Sequence, residues 1–329
     1  MPTRTAHLPA TLDWSTWSQL FVDGRTWRPV VERICHGMGV TATTVKTGDP
    51  GTCAVFVVDR RVVVKLYPPL LPHDFAKERD VYRLLRNRLD RLPGLLAEGV
   101  YHDRIDWPYL VLEFCPGTPI RDVYGALHRT DEWRIAETLG RAVRTVHDTP
   151  LDGVTAFATD HAAWAAFLHR RRAECMGELQ AETQLPATVR REIDAFLTTV
   201  LPELRTDATP LRLLHADLTE DHLLLVQDDA GWRVSALLDW ADAEVGAPPY
   251  EWIALWFGLC NRNPAFFHNV LRAYDPGLAL DERFYRHALA YTFLHRFGAG
   301  IIDHVWRADG SPTLDSLAML QRWLWLQMQ

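Results

Sequence analysis

Leu213-Leu214-His215-Ala216-Asp217-Leu218-Thr219-Glu220-Asp221-His222-Leu223-Leu224-Leu225, followed by Ser235-Ala236-Leu237-Leu238-Asp239-Trp240, is the stretch on which the reading turns. Asp217 falls just past one apolar, strand-like run, His222 opens a second, and Asp239 closes a third. A loop between two strands can hold a carboxylate near a metal ligand. Carboxylate oxygens are the hard ligands that Mg²⁺ prefers, and a protein commonly supplies only one or two of them. An isolated Asp after a strand is most simply a turn residue. The case therefore rests on order and company.

The company is a cation. Val62-Val63-Val64-Lys65-Leu66-Tyr67 places one of the chain's three lysines inside a β-branched strand, where a charge is unwelcome. A buried lysine needs a partner. Glu78, in Phe75-Ala76-Lys77-Glu78-Arg79-Asp80 on the next expected helix, is the natural one. The competing reading is an edge strand with its charge in water and a solvated helix face. Phosphoryl transfer asks for few parts: a metal on the phosphates, a carboxylate near the attacking hydroxyl and a cation on the nucleotide.

Working outward, the first part of the chain reads as strands around one helix. Thr41–Lys46, Cys53–Val58, Arg61–Tyr67, Leu95–Tyr101 and Pro108–Phe114 are expected strands, broken by Asp49-Pro50-Gly51 and by Asp59-Arg60. A helix is expected over His73–Arg88. Cys115-Pro116-Gly117-Thr118-Pro119 is a rigid link and the expected boundary, so that 1–40 is a helical extension, 41–116 a small lobe and 117–329 a large one. Beyond it, Asp131–His147, Ala162–Leu179, Thr188–Leu201, Tyr250–Cys260, Pro264–Tyr274, Glu282–Asp303 and Thr313–Gln327 show helical spacing, interrupted by the β-rich island Leu211–Asp239. The expected fold is α+β, a small antiparallel sheet lobe joined to a helical lobe, with ligands bound between them.

Composition narrows the function. No apolar run reaches the ~18 residues of a membrane span. Met1–Ala10 lacks the basic start and apolar stretch of a signal peptide. The five cysteines, Cys35, Cys53, Cys115, Cys175 and Cys260, form no CxxC pair, which suits a reduced cytoplasm. Residues 1–116 carry 15 basic and 13 acidic side chains; residues 117–329 carry 20 and 29. An acidic second half argues against nucleic acid and favours a cationic partner, with simple solvation of a helical surface as the alternative. No membrane or protein partner is expected.

His215-x-Asp217-x₄-His222, with Leu238-Asp239 beyond it, resembles the aminoglycoside phosphotransferase and choline-kinase family of protein-kinase-like fold. Trp107-Pro108-Tyr109-Leu110-Val111-Leu112-Glu113 is similar to the strand that leads into that family's hinge, and Leu139–His147 to the helix before its catalytic loop. Tyr291-Thr292-Phe293-Leu294-His295, with Tyr250, resembles the hygromycin B 7″-O-phosphotransferases. The resemblance implies a two-lobed small-molecule O-kinase using Mg²⁺ and ATP or GTP. It implies Asp217 as catalytic base or orienting carboxylate, Asp239 and His222 as metal ligands, and Lys65, held by Glu78, on the nucleotide phosphates. It also implies the backbone of Glu113 and Cys115 on the base, with Val63, Leu224 and the neighbouring Leu238 around it.

This sequence departs from the family pattern in three ways. His222 stands where most relatives have Asn, and imidazole is the softer ligand. Thr47-Gly48-Asp49-Pro50-Gly51-Thr52 is not the kinase glycine loop, nor is a Walker motif present. Gly246-Ala247-Pro248 lacks the Asp of Gly-Asp-Pro, a change expected to remove a helix cap. His215 is expected to prop the loop, and the Trp-rich segments around Trp252, Trp256, Trp306, Trp323 and Trp325 to form core. Asp242, Glu244 and Glu251 follow the metal strand and are candidates to face a cationic acceptor. The leading reading is an aminoglycoside-type antibiotic kinase. Its competitors are a macrolide kinase, a metabolic kinase for an amino alcohol or sugar, and a nucleotide-binding pseudokinase.

Overall fold

The computed structural model describes residues 8–48, 51–205 and 210–326. Asp49-Pro50 of the expected turn, the first residues of the expected extension and Gln327 lie outside the described residues. The chain divides into two compact units, one of Met1–Val123, Asp152–Ala156 and His222–Ala243, the other of Tyr124–Leu151, Phe157–Asp221 and Glu244–Gln329.

The first unit is built on a five-stranded antiparallel sheet. Its strands run Val45–Thr47, Ala54–Val58, Val62–Leu66, Asp106–Glu113 and Leu95–His102 across the sheet. Alternation decides the two faces. Phe56, Val58, Val62, Val64 and Val111 pack with Trp17, Trp27 and Trp107 in one buried cluster. Trp17 and Trp27 come from helices Trp14–Leu20 and Gly24–Gly37, each started by an aspartate, Asp13 or Asp23, that accepts from first-turn N–H groups. With Val62 and Val64 spent on that core, Val63 and Lys65 belong to the opposite face. Helix Pro72–Leu85 follows, opened by a proline in its first turn. Within the same unit Thr118–Pro119 adds a short strand to the hairpin Leu223–Asp228 and Gly231–Leu237.

The second unit is mainly helical: Arg129–His147, His161–Glu182, Ala187–Leu204, Glu251–Ala254, Pro264–Tyr274, Glu282–Leu294, Gly298–Ala308 and Leu317–Gln321. A two-stranded ribbon, Arg212–Leu214 against Glu244–Gly246, carries the His215-Ala216-Asp217 loop. Trp252, Trp256, Trp306, Trp323 and Trp325 are all buried, which makes them core. Gly140 lets two helices meet at backbone distance, for a Cβ there would lie 2.4 Å from the Val270 carbonyl. No helix among the described residues is long and apolar enough to cross a membrane.

The α+β plan is the one expected, and the differences are local. The helix expected over Glu282–Asp303 breaks: Leu294 ends one segment, His295 is extended, and Gly298 starts the next. Gly298 is required there, since a Cβ would come within 2.1 Å of the Thr292 carbonyl. Tyr250–Cys260 is a short helix running into a π-helical turn over Leu255–Leu259. Thr313–Gln327 shortens to Leu317–Gln321 plus a π-helical turn over Arg322–Leu326.

Candidate active site

Lys65 sits in the middle of the sheet, paired across to Val55 on one side and Leu110 on the other. Its side chain is 6% exposed, so its charge must be met within the protein. Nζ lies 2.7 Å from Glu78 Oε2 and 2.8 Å from Asp239 Oδ1. Burial alone would lower the Lys65 pKa, but Asp239 and Glu78 together hold it well above the usual range. Burial likewise opposes ionisation of Asp239; Lys65, and after it His222, overcome this and keep the carboxylate below its ordinary value. Burial pushes the Glu78 carboxyl up, only partly countered by Lys65.

Tyr67, one residue past the end of that strand, completes the group. Its hydroxyl donates to Glu78 Oε2 at 2.5 Å, and its ring lies 5.5 Å from Lys65 Nζ. Tyr67 is not among the site residues expected from sequence. The signal was available, because residues i and i+2 of a strand share a face and a buried tyrosine hydroxyl seeks a partner.

Asp239 follows strand Gly231–Leu237 with φ of 60°, a left-handed backbone uncommon outside glycine. Leu238 N–H donates to His222 O at 2.9 Å, closing the hairpin base so that both side chains leave the same place. His222 Nε2 is 4.0 Å from Asp239 Oδ2. The two side chains are near enough that they would share one cation. No group of three or more His, Cys, Asp or Glu among the described residues could hold a metal. One carboxylate oxygen and one imidazole nitrogen fit a cation that completes its shell with phosphate and water. Trp240 N–H reaches Glu78 Oε1 at 3.4 Å, so the glutamate touches the lysine side and the aspartate side of the group.

The remaining nucleotide candidates lie in the same unit. Val63, Leu224 and Leu238 are half-buried and apolar. Glu113 N–H is already given to Gly94 O at 2.8 Å and Phe114 N–H to Arg61 O at 3.1 Å. Of the Glu113 backbone, only the carbonyl is left to offer. Cys115 is half-buried, and burial raises its thiol to about 11, so it is an apolar wall and not a nucleophile. Ser235 Oγ donates to Pro116 O at 2.7 Å and fastens this segment to the hairpin.

Asp217 belongs to the second unit and is half-buried at the loop tip. The two residues before it carry the loop. His215 Nδ1 accepts the Asp217 N–H at 3.3 Å, a propping role. Ala216 has φ of 62°. Its N–H donates to Glu251 Oε1 at 3.1 Å, His215 N–H donates to Glu251 Oε2 at 2.7 Å, and its carbonyl accepts from His295 Nε2 at 3.1 Å.

Glu251 therefore cannot face an acceptor, contrary to the expectation from sequence. It is 1% exposed, both oxygens are taken by the loop backbone, and His147 Nε2 is 3.5 Å away. Burial resists its ionisation, but His147 and the backbone donors hold it below the usual value. Asp242 and Glu244 are half-buried, the first in the sheet unit, the second in the ribbon strand opposite Leu214. Ala247 precedes the Pro248–Tyr250 turn with no side-chain cap, as its sequence implies. In the sequence His295 stands out only as the end of the Tyr291–His295 motif.

Lys65, Glu78, Asp239 and His222 are thus drawn into one group, while Asp217, Glu251 and His295 form a second around one loop. A family model described as the phosphotransferase enzyme family, APH, matches residues 51–288. Among solved structures, the GDP and kanamycin complex of APH(2")-IIIa is similar at 17% identity and a TM-score of 0.62, covering 86% of this chain and 93% of that one. The gentamicin complex of APH(2")-IIa is similar at 17% identity and a TM-score of 0.58, covering 92% and 96%. A thermostable mutant of aminoglycoside phosphotransferase APH(4)-Ia, in ternary complex with ADP and hygromycin B, is similar at 17% and a TM-score of 0.56, covering 86% and 99%.

Proposed function

The chain belongs to the phosphotransferase enzyme family, and on that premise we propose that it moves the γ-phosphate of ATP or GTP to a hydroxyl of a cationic, aminoglycoside-type antibiotic in the cytoplasm. The observation that carries this reading is Lys65 held between Glu78 and Asp239 at 2.7 and 2.8 Å. A pseudokinase has no need to keep a buried ammonium and two carboxylates in that relation.

In the reaction Lys65 exchanges its contact with Asp239 for the phosphates, while Glu78, braced by Tyr67, keeps the ammonium aimed. Asp239 and His222 would hold Mg²⁺, which neutralises charge on the phosphates when bound. The Glu113 carbonyl and the Cys115 backbone receive the base, with Val63, Leu224 and Leu238 around it. Asp217 accepts the proton of the attacking hydroxyl as the oxygen–phosphorus bond forms and the bond to the β-phosphate breaks.

Three observations support a cationic acceptor. Residues 117–329 carry 20 basic and 29 acidic side chains. Asp242 and Glu244 are partly open to solvent. Solved neighbours include complexes with kanamycin, gentamicin and hygromycin B. The burial of the five tryptophans removes the apolar wall that a macrolide ring would use. Hygromycin B is the first acceptor to try, on the strength of the Tyr291–His295 motif. Salt tests the charge reading, because screening weakens exposed charge pairs far more than apolar contacts. The acceptor KM is expected to rise several-fold between low and roughly 0.5 M salt, and Asp242→Asn or Glu244→Gln to blunt that rise. A salt-insensitive KM for the best acceptor would contradict it.

A further inference from the structure

His295 touches none of the groups assigned to nucleotide, metal or acceptor, yet it ties together several segments of the second unit. The ring is fully buried. It stacks on Tyr250 with centroids 4.6 Å apart. The Tyr250 hydroxyl accepts the N–H of Arg296, the next residue, at 3.0 Å. The buried Arg171 guanidinium donates to the carbonyls of Leu294 at 3.2 Å and His295 at 3.3 Å. The helix breaks at His295, and Gly298 makes the break possible.

The protonation state follows from these neighbours. Burial pushes the imidazole down to about 3, so the ring is neutral, with one donor and one acceptor nitrogen. Nδ1 accepts the Phe297 N–H at 3.3 Å. The proton is therefore on Nε2, which donates to the Ala216 carbonyl at 3.1 Å. That carbonyl belongs to the peptide whose nitrogen is Asp217. A peptide is planar, so holding its oxygen restrains the Asp217 nitrogen and Cα, from which the side chain departs. Control is needed here because Ala216, with φ of 62°, occupies a backbone region that a residue with a Cβ visits reluctantly. Glu251 holds the N–H of this residue and His295 holds its carbonyl.

We propose that His295 is a positioning residue for the phosphotransfer reaction, clamping the left-handed Ala216 peptide so that Asp217 points at the acceptor hydroxyl. This rests on the reading of Asp217 given above. Misplacement of a reacting group by about 1 Å can cost on the order of 10²-fold in rate. His295→Leu, which keeps bulk but removes the donor, is expected to lower kcat by ~10–100-fold while leaving both KM values and nucleotide affinity within a small factor. His295→Gln, whose amide can reach the same carbonyl, should retain most of the rate, and His295→Asn, one bond shorter, should not. Ala216→Gly, which removes the strain the clamp opposes, should recover a large part of the His295→Leu loss.

A native-like far-UV circular dichroism spectrum and a cooperative thermal unfolding transition show that a variant is folded, the helical unit around His295 included. If the leucine variant does not fold, the Gln and Asn pair makes the same comparison. A His295→Leu enzyme with unchanged kcat, a loss confined to KM, or equal losses in the Gln and Asn variants would overturn the proposal. The Asp217→Ala variant separates the two levels. If it keeps wild-type kcat, the reading of Asp217 falls; if it is inactive while His295→Leu is normal, only the clamp falls.

Discussion

Asp217→Ala lowers kcat by ~10²–10⁴-fold, the usual worth of a positioned base or orienting carboxylate, and leaves nucleotide affinity and thermal stability close to those of the native chain. The loop explains why these effects separate. Its anchors are backbone atoms of His215 and Ala216 held by Glu251 and His295. Removing the Asp217 carboxylate leaves these backbone anchors in place. The nucleotide candidates Lys65, Glu78 and Asp239 belong to the other compact unit and keep their own contacts. Single-turnover rates beside calorimetric nucleotide titration make the comparison. Turnover near the native value would remove Asp217 from the reaction.

Asp239→Asn is expected to cost more Mg²⁺-nucleotide affinity than His222→Asn. Asp239 meets Lys65 at 2.8 Å and is 41% exposed, so its second oxygen is open to a cation. Asparagine there removes the anion that a hard cation needs. Asparagine at position 222 instead replaces a nitrogen ligand with an oxygen of the kind Mg²⁺ favours. Without Mg²⁺ the part of the difference that lies in the metal should vanish, leaving what Asp239→Asn changes at Lys65. Calorimetric titration with and without Mg²⁺ reads this directly, and equal losses in its presence would contradict the ranking.

Features encoded locally were legible in the sequence. Valine-rich strands, the charge inside one of them and the apolar runs ending at Asp217 and Asp239 led to the α+β plan and to the candidate residues. That Lys65 meets both Glu78 and Asp239 is a long-range property, since 174 residues separate Lys65 from Asp239. Glu251 was misread because its side chain turns inward, and charge counting cannot see direction. The break at His295 was hidden by helical spacing that continues through it. Gly298 carried the signal, but a glycine inside a periodic run does not say which carbonyl it must clear. Tyr67 was passed over because a tyrosine in a strand is ordinarily packing, and only the Glu78 hydroxyl contact distinguishes it.

The central claim is transfer of a phosphoryl group to a hydroxyl. Its most direct measurement incubates the protein with Mg²⁺ and γ-labelled ATP or GTP, beside hygromycin B, other aminoglycosides, macrolides and amino alcohols, and identifies the labelled product by mass spectrometry. The expected result is one phosphate ester on an aminoglycoside hydroxyl, formed by the native chain and lost in Asp217→Ala. Nucleotide binding with no labelled acceptor from any of these classes would contradict the account.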